Sequence, residues 1–325
     1  MRFSPEYTLN IIKEKDFPSR IKQIENELAS CCNSGYFNSF DGKQLYYEYF
    51  LAENSRASII IVHGLSEFTK KFYELAWYFL NQGYNVFLYD QRGHGLSCRQ
   101  TDRVDLIHVD SFDDYEKDLN EFIEQIVIKT VSKPLYVFSH SMGGAVCALY
   151  LSKHFDRVEK AVMSAPLIEP TVGNIPLPVA KILTKLEVLR TGSMTKFKIC
   201  KEFNPDYSHK VSSDASYNRF EHNMQMRIAN KNYQSTPMTA GWVYNSLTIK
   251  SKLLSRKVVK RINTPVLMLC AEKDTVVKRP AQLKFAKKCN TCQLETIEDA
   301  KHSMFSGKYD TVVEYVNKIL DFYKD

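Results

Sequence analysis

The sequence predicts an α/β protein with a doubly wound, mostly parallel sheet and an inserted helical cap. Apolar runs of strand length alternate with amphipathic helical stretches up to about residue 165, and such alternation is typical of a parallel sheet with helices on both faces. One run, at residues 135–140, enters a very tight turn and then a helix. The alternation stops near residue 166 and resumes with the apolar run 265–271. The predicted organisation is an N-terminal extension (1–35), a core (36–165 and 248–325) and a helical cap (166–247).

Composition places the chain among ordinary globular proteins. It has 325 residues, of which 44% are hydrophobic and 25% are charged, enough for one large core and an inserted subdomain. The first twenty residues contain no apolar run of the signal-peptide kind, and no stretch reaches membrane-spanning length. We therefore expect a cytoplasmic protein, and peripheral contact with the inner face of the membrane is an open alternative.

Charge and cysteine content exclude several classes of partner. The net charge of +7 is modest, and we expect no nucleic-acid partner. Eight cysteines without a secretion signal are expected to stay reduced. Cys289 and Cys292 have the C-x-x-C spacing, but a zinc site needs a second ligand pair and the sequence has none nearby. We therefore predict neither a metal nor a cofactor.

The first elements follow from the spacing of apolar residues. Ile21, Ile24 and Leu28 share one face of a short helix in the N-terminal extension, for which the sequence indicates no function. An Asp-Gly turn within residues 36–51 predicts a pair of strands. The continuous apolar run at residues 57–62 is typical of a strand covered on both faces.

A His-Gly turn, His63-Gly64-Leu65-Ser66-Glu67, follows that strand and precedes a helix predicted at residues 70–81. His63 has two interpretations. It takes part in catalysis directly, or it is a buried histidine that fixes the loop, and we prefer the second.

The next strand, at residues 84–89, runs into a turn at residues 90–97 that contains two glycines. Those glycines permit positive φ angles, and Asp90 and Arg92 can brace the turn from inside. We interpret the turn as architectural, because a phosphate-binding loop would need a third glycine and a lysine. An apolar stripe then predicts a long helix at residues 112–126.

The stretch at residues 135–145 carries Ser141 at its turn. This arrangement is typical of a nucleophile elbow, in which a strained corner presents the serine hydroxyl and the N–H of the next residue, here Met142, faces an oxyanion. Ser139 stands where the usual G-x-S-x-G pattern has its first glycine, and a small residue still fits there. In elbow enzymes the loop after the earlier apolar strand supplies a second oxyanion N–H, which we assign to Leu65.

A serine hydroxyl becomes a good nucleophile only when a histidine takes its proton and a carboxylate supports that histidine. Elbow enzymes carry these groups in the order serine, acid, histidine. Asp274 follows the strand at residues 265–271, and His302 follows the last predicted strand, at residues 293–297. Glu272 is the competing acid, because it lies nearer to its strand and has the longer side chain.

The predicted cap contains an apolar stripe at residues 175–189, with Lys181 and Lys185 between its members. The stripe is either a helix packed on the core or a lipid-facing helix whose lysines meet anionic head groups. A basic run follows the cap and consists of Lys252, Arg256, Lys257, Lys260 and Arg261. That run is either a solvated face or a contact with an anionic surface.

Together these motifs resemble the α/β-hydrolase superfamily. More narrowly, they are similar to the serine-aminopeptidase-like (Hydrolase_4) branch, which holds monoacylglycerol lipases and bacterial lysophospholipases. The resemblance covers nearly the whole chain beyond the N-terminal extension and rests on residues 63–67, 90–97 and 140–144 with Asp274 and His302. It implies an α/β-hydrolase fold and serine-hydrolase chemistry.

Within that branch, residues 108–115 and the serine at position 139 look most similar to bacterial lysophospholipases. Ser66 and Phe68 depart from the H-G-x-G-E-H pattern of monoacylglycerol lipases. The expected function is cleavage of the carboxylic ester of a single-chain lipid through an acyl-enzyme, with lysophospholipids as the first substrate class. A monoacylglycerol lipase or general carboxylesterase is the alternative, and a non-catalytic ligand-binding protein of the same fold is a third possibility.

Overall fold

The computed structural model describes residues 10–132 and 134–324, so residues 1–9 of the predicted N-terminal extension lie outside the described residues. Within these ranges the chain forms one eight-stranded sheet and eleven α-helices. The strands are β1 (Asn33–Asn38), β2 (Gln44–Phe50), β3 (Ala57–Val62), β4 (Tyr84–Tyr89), β5 (Leu135–His140), β6 (Lys160–Ser164), β7 (Val266–Ala271) and β8 (Cys292–Ile297). The helices are α1 (Phe17–Cys31), α2 (Tyr73–Asn81), α3 (Phe112–Phe122), α4 (Ile128–Thr130), α5 (Met142–Leu151), α6 (Leu177–Thr191), α7 (Tyr217–Ala229), α8 (Ala240–Leu253), α9 (Arg256–Val259), α10 (Arg279–Lys288) and α11 (Tyr309–Lys324).

The sheet is mostly parallel. Its strand order is β1-β2-β4-β3-β5-β6-β7-β8. Strand β2 pairs antiparallel with β1 and with β4, and the other neighbours run parallel. Every residue of β3, β4 and β7 is buried, which explains why these strands appear as continuous apolar runs in the sequence. The predicted fold class is confirmed.

Helices cover both faces of the sheet. One apolar layer contains the inward side chains of α3, α5 and α8, and the other contains those of α1, α2 and α11. Ile21, Ile24 and Leu28 of the predicted N-terminal helix are buried in the second layer. Helix α1 is therefore part of the packed protein, and β1 begins at Asn33, within the range that the sequence assigned to the extension.

The chain leaves the sheet after β6 and returns at β7. We use the name insertion for residues 166–247 of this interval. It contains α6, α7 and the larger part of α8, and none of its described residues belongs to a strand of the sheet. Helix α8 continues through residue 247, where the sequence placed the end of the cap.

The carboxyl ends of the parallel strands lie at one edge of the sheet, where ligands bind in open α/β proteins. Strand β3 leads there into residues 63–65, and β5 leads into Ser141. Strands β7 and β8 lead into residues 272–274 and 298–302. All the segments that the sequence singled out for chemistry therefore meet at this edge.

Candidate active site

Ser141 lies at the turn between β5 and α5, with a φ of 51° and a ψ of −116°. Residues other than glycine rarely take such a conformation, and the surrounding structure must enforce it. The N–H of Ser141 donates to the carbonyl of Ser164 at 3.0 Å, and its own carbonyl accepts the N–H of Leu167 at 2.8 Å. Ser141 is only 8% exposed, so the candidate nucleophile lies beneath other residues.

Close packing of α5 against the sheet fixes this corner. A side-chain carbon on Gly143 would overlap the carbonyl oxygen of Val62 at the end of β3, so only glycine permits the approach. Ser139 is fully buried, and its hydroxyl donates to the carbonyl of Val162 on β6 at 3.0 Å. A serine can therefore replace the first glycine of the elbow pattern, because its polar atom is satisfied.

His302 lies between a serine and a carboxylate. Its Nδ1 is 2.8 Å from Oδ2 of Asp274, and its Nε2 is 2.9 Å from Oγ of Ser141. An ionised carboxylate can only accept, so Nδ1 carries the proton and Nε2 accepts the serine hydroxyl. The structure thus brings together the three predicted residues, in a geometry that allows the serine proton to pass to the histidine.

Asp274, one of the two acids left open by the sequence, is the one that faces His302. Its Oδ1 accepts the N–H groups of Val276 at 2.8 Å and of Val277 at 3.0 Å. Burial raises the pKa of Asp274, but His302 and these two N–H groups outweigh burial and hold the pKa below its usual value. Glu272 instead accepts a backbone N–H in the loop after β8.

The two residues predicted to form the oxyanion hole are close to Ser141. Met142 is fully buried and opens α5, where the helix N–H groups carry partial positive charge. Leu65 follows Gly64, and a side-chain carbon on Gly64 would come within 3.0 Å of Cβ of Ser141. The loop after β3 therefore lies directly beside the serine.

The side chain of His63 holds that loop in position. Its Nε2 accepts the N–H of Gln91 at 2.9 Å, so its proton is on Nδ1, which donates to the carbonyl of Gly64 at 2.7 Å. Burial lowers the pKa of His63 to about 4, which keeps the ring neutral near pH 7. The preferred interpretation, a buried histidine that fixes the loop, is confirmed.

A buried charge network lies next to the same loop, and the sequence analysis assigned it no role. Glu67 accepts the N–H of Gly64 at 2.6 Å, and its other carboxylate oxygen is 3.0 Å from Nζ of Lys71. That Nζ is also 3.7 Å from Asp214 of the insertion. Burial opposes both charges, but Lys71 lowers the pKa of Glu67 to about 2, and Asp214 and Glu67 raise the pKa of Lys71. Glu67 belongs to the His-Gly stretch, which the sequence motifs include. No sequence pattern indicates that Lys71 pairs with Asp214.

The glycine turn after β4 is held from inside. Asp90 accepts the N–H groups of Thr69 at 2.7 Å and of Leu96 at 2.8 Å. Arg92 donates to both carboxylate oxygens of Asp118 on α3. Burial raises the pKa of Asp90 to about 7. Asp90 and Arg92 thus brace the turn from inside, and the architectural interpretation is confirmed.

Helix α6 presents an apolar face to solvent. Its exposed fractions run from 44% to 73% at Val179, Ile182, Leu183, Leu186 and Leu189. Its buried residues are the small Ala180 and Thr184. Helix α6 packs against α8, as the interpretation of a packed helix predicts, but the apolar stripe itself is not the packed face and is exposed. Across the described ranges, we find no helix with the length and apolar character that crossing a membrane demands.

Part of the basic run after the insertion has partners within the fold. Lys252 pairs with Asp113 on α3, and Lys260 donates to the side chain of Asn290 at 2.8 Å. The guanidinium of Arg261 lies 5.0 Å from the centre of a phenylalanine ring. The other two basic residues belong to α9. The run is therefore at least partly structural.

All eight cysteines lie in the described residues and are free thiols. Cys289 is buried, and burial raises the pKa of the Cys292 thiol, which makes it a weak nucleophile. In the part of the chain that the structure describes, no group of three or more histidine, cysteine or acidic side chains is arranged to hold a metal ion.

Comparison with known families gives one model that spans most of the chain. The model described as serine aminopeptidase, S33, matches residues 53–308. The matched range begins before β3 and ends after the loop that carries His302. It therefore includes every predicted site residue.

Curated relatives and solved structures match nearly the full length. A probable lysophospholipase L2 of Haemophilus influenzae is 28% identical over 285 residues, which cover 86% of this chain and 88% of the relative. The monoglyceride lipase of Saccharomyces cerevisiae is 26% identical over 313 residues, which cover 86% of this chain and 89% of that protein. A crystal structure of a soluble variant of the S. cerevisiae monoglyceride lipase, in complex with a substrate analog, has a TM-score of 0.70 at 20% identity and covers 90% of this chain and 95% of that chain. This last likeness is one of fold.

Proposed function

This chain belongs to the serine aminopeptidase S33 family, and on that premise we propose that it hydrolyses the carboxylic ester of a single-chain lipid. One observation carries the proposal. His302 is within hydrogen-bond distance of both Asp274 and Ser141, at 2.8 and 2.9 Å. Without an activated serine at a strained corner, the other features would suit a binding protein equally well.

The proposed reaction has two steps. The hydroxyl of Ser141 passes its proton to Nε2 of His302 and attacks the ester carbonyl, while Asp274 stabilises the imidazolium. The N–H groups of Leu65 and Met142 hold the oxyanion. The tetrahedral intermediate releases the alcohol, which takes the proton from His302, and leaves an acyl-serine. Water then loses a proton to His302 and attacks the acyl carbonyl. The second tetrahedral intermediate breaks its bond to the Ser141 oxygen, which takes the proton back from His302, and the fatty acid is released.

We place lysophospholipids first among the substrates and monoacylglycerols second. The H. influenzae relative named as a probable lysophospholipase supports the first choice, and the S. cerevisiae monoglyceride lipase supports the second. An acyl chain would add affinity, because each methylene that is buried on binding contributes about 0.8 kcal/mol. The net charge of +7 suits a substrate with a phosphate group.

Rates on three substrates test this order. We expect kcat/KM to fall from lysophosphatidylcholine to monoacylglycerol and then to a short-chain aryl ester. A higher rate on monoacylglycerol would move the assignment to the second class. A strong preference for the aryl ester would defeat the lipid assignment and leave a general carboxylesterase.

The non-catalytic alternative is tested separately. A fluorophosphonate probe reacts covalently with an activated serine, so we expect stoichiometric labelling of the wild type. Labelling that is absent from wild type, or that persists in Ser141→Ala, would contradict the assignment of Ser141 as nucleophile.

The same proposal takes residues 166–247 as a cap and α6 as its contact with an anionic membrane surface. The exposed apolar face of α6 and its lysines at positions 181 and 185 support this contact. The double variant Ile182→Glu/Leu186→Glu should lose co-sedimentation with vesicles of phosphatidylglycerol and phosphatidylcholine. Leu283→Glu on α10 is the matched control, because Leu283 is an exposed leucine at 46%. Equal binding of both variants would contradict the contact. The cytoplasmic location stays a prediction.

A further inference from the structure

The N-terminal segment reaches across the molecule to the start of α7. Oε1 of Glu14 accepts the N–H of Asn218 at 3.0 Å, and Oε2 of Glu14 accepts the hydroxyl of Ser216 at 2.6 Å. The side-chain amide of Asn218 donates to the carbonyl of Glu14 at 2.7 Å. Ser216 is the N-cap residue of α7, and its Oγ also accepts the N–H of Arg219 at 3.1 Å.

These contacts stabilise the start of the helix. The N–H of Asn218 belongs to the first turn, where no carbonyl of the same helix can accept it. A carboxylate there also meets the positive end of the helix dipole. Arg219 in the same turn donates to both carboxylate oxygens of Glu74 on α2, at 2.5 and 2.8 Å. The first turn of α7 is thus fixed both to Glu14 and to the core.

The residues just before α7 in turn hold the loop that carries His302. This loop is residues 301–306, and its partner is residues 212–216 of the insertion. Hydrogen bonds join the two segments on both sides of His302. Before it, Nζ of Lys301 donates to the carbonyl of Ser212 at 3.2 Å. After it, the N–H of Ser303 donates to the carbonyl of Ser213 at 3.3 Å, the hydroxyls of these two serines are 3.0 Å apart, and the carbonyl of Ser306 accepts the N–H groups of Ala215 and Ser216 at 3.1 and 3.0 Å. A shift of the 212–216 segment would therefore move the histidine loop.

We propose that Glu14 is a positioning residue for His302. It anchors the start of α7, the anchored residues 212–216 hold the loop 301–306, and Nε2 of His302 stays within reach of the hydroxyl of Ser141. The inference rests on the proposed function of these two residues. It gives a role to the N-terminal extension, for which the sequence indicated none.

A role in substrate access would predict a different outcome. If Glu14 only kept the insertion closed over the site, its loss would change the entry of substrates with long acyl chains. The rate of the chemical step on a small ester would stay unchanged. Positioning acts on proton transfer, which every ester needs. Two esters with the same leaving group and different acyl chains separate these roles.

The experiment compares p-nitrophenyl acetate with p-nitrophenyl laurate for Glu14→Ala, Glu14→Gln and Glu25→Gln. Losing a partner at a helix N-terminus costs about 1 kcal/mol of helix stability, which is a factor of about five in the equilibrium between the anchored and the displaced start of α7. We expect Glu14→Ala to lower kcat about fivefold on both esters with little change in KM. Glu14→Gln keeps an oxygen acceptor for the N–H of Asn218 and should retain most of kcat. Glu25→Gln is the matched control, because Glu25 also contacts α7 from α1, 3.1 Å from His222 in mid-helix.

An unchanged kcat in Glu14→Ala would overturn the inference, as would an effect confined to KM or to the laurate, or an equal loss in Glu25→Gln. Thermal unfolding checks that each variant is folded at the assay temperature. If Glu14→Ala does not fold, Ser213→Ala tests the same path next to the histidine and should lower kcat on both esters. Full activity in Ser141→Ala would instead mean that the proposed function fails, whatever Glu14 does.

Discussion

Nδ1 of His302 lies 2.8 Å from Oδ2 of Asp274, and the other oxygen of this carboxylate accepts two backbone N–H groups. The two backbone N–H groups therefore hold the carboxylate of Asp274 in position, and the carboxylate holds the ring of His302 in position. With the proton held on Nδ1, Nε2 is the nitrogen that is free to accept from Ser141.

Asp274→Asn should lower kcat about ten-thousandfold, because an amide stabilises the wrong tautomer and cannot stabilise an imidazolium. Glu272→Gln is the matched control. Its side chain contacts a backbone N–H in the loop after β8 rather than His302, and glutamine keeps an oxygen acceptor. We expect this control to stay within a few-fold of wild type in steady-state assays on a chromogenic ester. A larger loss in Glu272→Gln than in Asp274→Asn would reverse the assignment of the acid.

Lys71→Met should reduce both stability and kcat. It leaves the buried carboxylates of Glu67 and Asp214 without their cation, and breaking a buried pair in this way costs about 3 kcal/mol or more. Glu67 also holds the N–H of Gly64, so the loop that carries Leu65 should shift and weaken the proposed oxyanion hole. Urea denaturation gives the free energy of unfolding. Lys70→Met is the control, because Lys70 is exposed, and equal effects of the two variants would contradict the role of the network.

Acid should destabilise the fold through buried histidines. Burial lowers the pKa of His63 to about 4 and that of His140 to about 3, and it holds the pKa of His94 well below its usual value. In the unfolded chain histidine titrates at about 6.5. Between that pH and about pH 4 the unfolded state binds more protons, so the free energy of unfolding falls as the pH falls. Asp90 opposes this trend, because its pKa of about 7 lets the folded state keep a proton over the same range.

Melting temperatures measured from about pH 7.5 to 4.5 check this sign. Burial also raises the pKa of Glu48 and of Asp118, but the larger shifts are those of the three histidines and Asp90, so we expect the melting temperature to fall below about pH 6.5. His63→Gln removes one of the groups and should flatten the curve. A melting temperature independent of pH, or the same slope in the variant, would contradict the account.

Much of the fold could be predicted from the sequence, because buried parallel strands are continuous apolar runs and turns that contain glycine follow several of them. The run at residues 57–62 is an example, since every residue of β3 is buried. The candidate site could be located because its parts follow strand ends in a fixed order. Ser141, Asp274 and His302 stand far apart in sequence, but each lies at the carboxyl end of a strand.

The contacts that support the site could not be predicted in the same way. Glu14 accepts the N–H of Asn218, and Lys71 lies close to Asp214, although the partners are far apart in sequence. Single charged residues have no periodicity from which such pairs could be predicted. The apolar stripe of α6 was ambiguous for another reason. Spacing identifies an apolar face, but only the packed structure shows whether another element covers it.

Ser141→Ala tests the central claim most directly. The measurement is lipid-product analysis of purified wild type and variant with lysophosphatidylcholine and monoacylglycerol, together with thermal unfolding of both proteins. The account predicts that wild type releases fatty acid and that the rate of release by the variant is lower by a factor of about ten thousand or more. Both proteins should unfold at similar temperatures. Fatty acid release by a folded Ser141→Ala variant at the wild-type rate would contradict it.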